Sequence, residues 1–299
     1  MKSHKESQEL KLTMPWGHVA GIGWGCPRNN PVLLVHGTLD NAGSFTRLIQ
    51  LLPENYYYVA IDLPGHGLSS HFSPGIILDF FNYILTIKYV LDQLQWSKCM
   101  YIGHSFGAQL GIMFSIVYPN ILTRIITFDG LLPRAVNEKN LLSRIKQVND
   151  SVLYDLNEKK TRLYTKIEVL NALQNRRQFT LNEQAALSLF ERSVSMVGDM
   201  YKYNRDLRIR PFIYPNFNFN QYAELMNHLK LPVLVILATD SWFNLFLDDA
   251  ASLQSFKKIL PNTCTIVTVE GNHDVHNNNP ERVVSYVSSF LNNNIKSKL

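Results

Sequence analysis

The sequence predicts an α/β fold: a mostly parallel central sheet of about eight strands, flanked by helices, with a helical cap inserted after the sixth strand. Three observations predict it. Apolar runs of strand length recur along the chain, among them PVLLVHG (31–37), YYYVAID (56–62), ILTRIITFD (121–129) and PVLVILA (232–238). Helix-period segments lie between them, the alternation that builds a parallel sheet covered on both sides. From about residue 131 to 229 charged, helix-period segments dominate instead, which fits an excursion from the sheet. A chain of 299 residues, 46% hydrophobic, can bury a large core.

ELKLTMP and GHVAGIGWG read as two early strands, the second rich in glycine and prone to turn. PVLLVHG and YYYVAID are continuous apolar runs, as strands buried on both faces require. SPGIILDFFNYILTIKYVLDQLQW (73–96) is long and periodic enough for a helix opened by Ser73 and Pro74. KCMYIGH (98–104) is a strand, Phe106 to Tyr118 a helix ending before Pro119, and 121–129 a strand. Beyond the cap come strand 232–238, a helix near 251–260, strand CTIVTVEG (264–271) and a terminal helix from Pro280. The chain thus divides into a first core part (1–130), a cap (131–230) and a second core part (231–299).

Net charge is +5, and the cap carries it: sixteen Lys and Arg against ten Asp and Glu between Leu131 and Lys230, leaving thirteen against fourteen elsewhere. Solvated helix faces are the plainest source of such a bias. An anionic substrate is another, and no nucleic-acid-binding motif accompanies the charge. Cys26, Cys99 and Cys264 have neither CxxC spacing nor a His/Cys cluster, so they are expected to be buried thiols in a reducing compartment, without a metal. The N-terminal segment lacks the apolar core of a secretory signal, and no apolar run is long enough for a transmembrane helix. Ser297, Lys298 and Leu299 match the tripeptide read by the peroxisomal import receptor. The expected location is the peroxisome, with the cytoplasm as the alternative.

In an open parallel sheet, ligands bind beyond the carboxyl ends of the strands. Four such ends carry unusual residues. Gly103-His104-Ser105-Phe106-Gly107 lies between a strand and a helix, a turn that lifts a serine hydroxyl above the sheet. The Phe106 amide then sits at a helix N-terminus and can donate to a developing oxyanion, as can the Thr38 amide after the strand ending at His36-Gly37. His273 follows the last strand and is placed to take the Ser105 proton, with His276 the competitor. Asp240 and Asp129 each follow a strand, and either can orient the imidazole. His36, Gly37, Leu39, His104 and Trp242 are the candidates for the pocket wall, His36 also bracing its loop.

HG at 36–37, DLPGHGLSS at 62–70, GHSFG at 103–107 and GNHDVH at 271–276 together resemble the α/β-hydrolase superfamily. PWGHVAGIGWG, HGTLDNAGSF and RLIQLLPENYYYVAIDLPGHGLSSHFSPG are similar to its serine hydrolase-like branch. The likeness covers roughly 8–130 and 231–293. It implies an α/β-hydrolase fold, a Ser–His–acid triad, and neither metal nor cofactor. The hydroxyl at the elbow sets the chain apart from relatives that use a carboxylate there. The chemistry implied is cleavage of a small-molecule ester or thioester through a serine ester. A catalytically silent ligand-binding protein on the same fold is the alternative.

One departure bears on the acid. Many superfamily members place it nine residues after the proline that opens the seventh strand. Counted from Pro232 that position is Ser241, with Asp240 one short. Asp240 ranks ahead of Asp129 on this count, with Trp242 walling the pocket. In the cap, aromatic residues are expected mostly to pack a small core, some lining an acyl tunnel. Arg205, Arg208 and Arg210 are candidates to meet an anionic head group.

Overall fold

A computed structural model describes residues 5–157, 162–209, 214–241 and 258–292. The sheet has eight strands: β1 (Ser7–Met14), β2 (Gly17–Trp24), β3 (Asn30–Val35), β4 (Tyr56–Ile61), β5 (Cys99–His104), β6 (Leu122–Phe128), β9 (Val233–Asp240) and β10 (Cys264–Asn272). Their order across it is β1-β2-β4-β3-β5-β6-β9-β10. The β1–β2 and β2–β4 pairs are antiparallel and the rest parallel. Val32 to Val35 and all of β4 are buried, as the unbroken apolar runs require.

Two helices pack against each other beside the middle of the sheet: α2 (Phe80–Gln93) and α3 (Phe106–Val117). On the core face of α2, Phe80, Tyr83, Ile84 and Ile87 are buried. This helix begins later than Ser73 and Pro74 imply. Asp79 caps it by accepting from the Phe81 amide at 2.8 Å. The Arg208 guanidinium meanwhile holds the carbonyls of Phe72, Ser73 and Ile76, so those acceptors are taken by a side chain. The short α1 (Thr46–Ile49) follows β3, and α8 (Val275–Asn278) and α9 (Val284–Leu291) follow β10. The helix expected near 251–260 lies mostly outside the described residues. Cys99 is buried, but Cys26 is exposed in the turn after β2.

Between β6 and β9 the chain forms α4 (Leu141–Asn157), α5 (Lys166–Asn175), α6 (Glu183–Ser193), the strands β7 (Val194–Val197) and β8 (Met200–Tyr203), and α7 (Phe219–Met226). The β7–β8 hairpin is an addition to the helical cap expected. Its signal was present: VSMV and MYKY flank Gly198-Asp199, and Gly198 adopts φ 60°, the positive φ that a two-residue hairpin turn demands. Val169, Leu173, Leu189 and Phe190 form a separate small core under this hairpin, joined by Tyr164, Tyr201 and Tyr203.

Buried arginines tie the cap to the sheet. Arg192, at the end of α6, reaches Asp62 beyond β4 with Nη2–Oδ2 2.8 Å and Nε–Oδ2 3.1 Å, and Glu9 on β1 at 2.6 Å. Asp62 is fully buried and also accepts from the amides of Ala42 and Leu68, each at 2.7 Å. Arg208 pairs with Asp206 at 2.6 Å, both 2% exposed. Part of the cap's basicity is therefore spent inside the molecule. No helix among the described residues is long and apolar enough to cross a membrane.

The Arg192–Asp62 pair gives a stability test. Removing one partner strands a buried charge, at a cost of about 3–5 kcal/mol, whereas removing both costs less. Urea unfolding of Arg192→Met is expected to show that loss, and Arg192→Met combined with Asp62→Asn to recover most of it. A single variant as stable as wild type contradicts the assignment.

Candidate active site

Ser105 occupies the turn from β5 into α3 at φ 50° and ψ −111°, a conformation that costs on the order of 1–3 kcal/mol for a residue with a side chain. The surroundings leave no room to relax. A Cβ on Gly103 would come within 2.6 Å of the Ala108 backbone, one on Gly107 within 2.0 Å of the Val35 carbonyl, and one on Gly130 within 2.5 Å of the Ser105 carbonyl. The glycines let β3, β5, β6 and α3 close on the turn. The Ser105 amide donates to the Phe128 carbonyl at 2.9 Å. The amides of Phe106 and Thr38 make no hydrogen bond among the described residues. Both residues line one cavity of about 480 Å³, together with Ser105 and His273.

His273 follows β10. Its Nδ1 lies 2.5 Å from Oδ2 of Asp129, and a carboxylate only accepts, so Nδ1 carries the proton. That leaves Nε2 as the basic nitrogen. Asp129, 2% exposed and at φ 45°, directly follows β6. Its Oδ1 accepts from the Ala238 amide at 3.1 Å and from Ser241 Oγ at 2.6 Å. Phe179 packs on the His273 ring at 5.3 Å between centroids.

The carboxylate that meets His273 is thus Asp129, not Asp240, which the spacing ranked first. The reason lies in strand length. Phe128, the last residue of β6, pairs with Ile236, and β9 runs four residues farther. Asp240 is carried past the end of β6, where it pairs with Asn272 and is exposed. The residue at the expected acid position, Ser241, is buried and donates to Asp129. The charge sits on β6, and β9 supplies a hydroxyl to hold it.

Gly37, Leu39 and His104 line the cavity. His36 does not. It is fully buried behind the loop, where Nδ1 donates to the Gly37 carbonyl at 2.7 Å and Nε2 accepts from the Leu63 amide at 3.0 Å. Burial pushes its pKa down to about 4 and that of its neighbour His66 to about 3, so both are neutral braces at neutral pH. Trp242 lies outside the described residues. His276 packs against Phe128, Phe45 and His104 and is fully buried, with burial holding its pKa well below the usual range. It is off the cavity wall and is not a competing base.

A buried ionic group braces the His273 loop. Arg177 of the cap spans Asp40 (Nη1–Oδ1 2.7 Å) and Asp274 (Nη2–Oδ1 3.1 Å). His104 Nε2 donates to the His273 carbonyl at 3.0 Å, and its Nδ1 lies 3.5 Å from Asp40. Burial disfavours a charged His104, but Asp40 and Asp274 outweigh it and raise its pKa. Burial likewise opposes the charge on Asp40, and Arg177 and His104 overcome it, holding the carboxyl well below the usual range. Asp40, His104 and Asp274 are close enough together to hold a metal ion. The Arg177 guanidinium already bridges the two carboxylates, so the charge a cation would supply is present. Arg177 belongs to no motif, and Asp274 lies in the GNHDVH stretch without being singled out there; their pairing exists only in the fold.

A family model described as alpha/beta hydrolase fold matches residues 30–280. The chain belongs to that family, and within it to the serine hydrolase-like branch. It is 37% identical over 294 residues to a serine hydrolase-like protein of Danio rerio, covering 96% of this chain and 89% of the relative. It is 34% identical to human serine hydrolase-like protein 2, covering 95% and 93%. Among solved structures, a hypothetical protein of Pseudomonas aeruginosa matches with TM-score 0.85 at 24% identity, covering 95% of this chain and 99% of the other. A thioesterase domain from the curacin biosynthetic pathway matches with TM-score 0.81 at 21% identity, covering 94% and 99%. Family and fold together mark the chain as a hydrolase.

Proposed function

We propose that the chain is a serine hydrolase cleaving an ester or thioester, with Ser105 as nucleophile, His273 as base and Asp129 as the acid that orients it. The observation that carries this reading is the 2.5 Å contact from His273 Nδ1 to Asp129, made beside a serine held at positive φ in the same cavity. Ser105 Oγ attacks the substrate carbonyl carbon while its proton passes to His273 Nε2. The carbonyl oxygen becomes an alkoxide between the amides of Phe106 and Thr38, each worth about 3 kcal/mol in serine enzymes. His273 returns the proton to the departing alcohol or thiol, leaving an acyl ester on Ser105. Water then attacks that ester, giving its proton to His273, and collapse releases the acid and restores the serine.

The imidazolium formed in each half is stabilised by Asp129, whose other oxygen is pinned by Ala238 and Ser241. Tyr164, Phe179, Tyr203 and Tyr214 give the cavity wall its aromatic part, a surface suited to an acyl chain. The thioesterase domain among the structural neighbours shares the fold and makes thioesters worth assaying.

Steady-state hydrolysis of 4-nitrophenyl esters and acyl thioesters tests the assignment. Ser105→Ala is expected to abolish turnover. Asp129→Asn should lower kcat by about 10⁴-fold, as loss of the orienting acid does in serine proteases, while Asp240→Asn stays close to wild type. A larger loss from Asp240 than from Asp129 rejects the acid assigned. A protein that only binds ligands gives no turnover with any substrate.

We also propose peroxisomal import through Ser297, Lys298 and Leu299, which lie outside the described residues. An N-terminal fluorescent fusion should coincide with a peroxisomal marker and become cytoplasmic when Leu299 is deleted. A diffuse signal from the intact fusion excludes it.

A further inference from the structure

We propose that Tyr214 of the cap is a positioning residue for the oxyanion pair: its hydroxyl holds the Thr38 side chain and so fixes the Thr38 amide towards the cavity. The inference rests on the ester-cleaving reading and adds a residue to it.

The loop carrying the Thr38 amide is anchored at its ends rather than at its tip. His36 and Gly37 before it and Asp40 and Asn41 after it are buried, whereas Thr38 and Leu39 are exposed. The Asp40 amide closes the turn onto the Gly37 carbonyl at 3.2 Å, and Leu39 stands at φ 65°. That is the third place of a four-residue turn, where a positive φ favours glycine. A leucine there is strained, and such a conformation persists where the surroundings over-determine it.

Tyr214 supplies a contact from outside the turn. Its hydroxyl is hydrogen-bonded to the side chain of Thr38. Its ring lies 6.1 Å from that of Phe106, centre to centre. One side chain of the cap thus meets both residues whose amides face the developing oxyanion, and all three line the cavity with Ser105.

The cap holds Tyr214 in turn. Pro215 follows it, which restricts its backbone to the extended region. Arg144 on α4 donates to its carbonyl at 2.9 Å and sets its guanidinium carbon 5.7 Å from the ring centre. Of the cap's other arginines, Arg208 is taken up by Asp206 and the 72–76 carbonyls, and Arg210 lies outside the described residues. Burial pushes the Tyr214 phenol up to about 12, against the opposing pull of Arg144 and the Thr38 hydrogen bond. The hydroxyl therefore keeps its proton at neutral pH. The sheet supplies the two amides, and the cap fixes one of them.

The experiment is a double-mutant cycle in the full-length protein, read as kcat and KM on the 4-nitrophenyl ester that wild type cleaves fastest. Tyr214→Phe and Thr38→Val each remove one hydroxyl and leave the backbone amides in place. Each is expected to lower kcat about tenfold, the effect of one hydrogen bond, with KM unchanged. The double variant should be about as slow as either single one, because the two hydroxyls act as a pair. Thr38→Ser, which restores the hydroxyl, should recover most of the rate that Thr38→Val loses. Additive losses, no recovery in Thr38→Ser, a loss confined to KM, or wild-type rates in both single variants overturn the inference while leaving ester cleavage standing. A wild type that cleaves no ester or thioester overturns the reading beneath it.

Discussion

The hydrogen bond between His273 and Asp129 is the constraint on which the rest depends. It joins residues 144 positions apart, one after β6 and one after β10. For the two to meet, β9 must lie between those strands in register, and the β10 loop must fold back over β5. A buried carboxylate is costly unless its oxygens are satisfied. Asp129 is satisfied on both sides, by Ala238 and Ser241 on one oxygen and by His273 on the other. The same three donors fix its position. The strained Ser105 turn is held independently, by glycines at 103, 107 and 130 that have no space for a side chain.

The cap is more than a cover. Arg177 and Arg192 tie it to the loops beyond the strand ends, one to Asp40 and Asp274, the other to Asp62. Asp274 is the residue after His273, so the cap and the His273 loop are coupled through one ion pair. His104, directly before the serine, closes the circuit by holding the His273 carbonyl. Serine turn, histidine loop and cap are thereby fixed relative to one another by buried charges, each neutralised locally. Breaking one contact leaves its partner in a low-dielectric setting, which makes the arrangement cooperative.

The middle of the sheet was legible because strands such as β3 and β4 are buried on both faces and so read as unbroken apolar runs. Ser105 and His273 were legible because an elbow and a loop after the last strand have local signatures. The carboxylate that meets His273 was not, since the choice between Asp129 and Asp240 turns on how far β9 extends beyond β6, a property of pairing rather than of either segment. The start of α2 was misplaced for a similar reason: Arg208, more than 130 residues on, takes the carbonyls of 72–76. The β7–β8 hairpin could have been read from Gly198-Asp199 between two alternating runs, but the charged helical pattern around it masked the signal. Arg177 carries no pattern of its own, and Asp274, although inside GNHDVH, gives no sign there of its partner; only the fold joins them.

The most direct test of the central claim is the rate at which a fluorophosphonate modifies the protein, with the adduct mapped by peptide mass spectrometry. A hydroxyl activated by an imidazole that Asp129 orients should react, with the whole adduct on Ser105 and at a rate strongly reduced by Asp129→Asn. No adduct, an adduct elsewhere, or a rate indifferent to Asp129 would contradict the account.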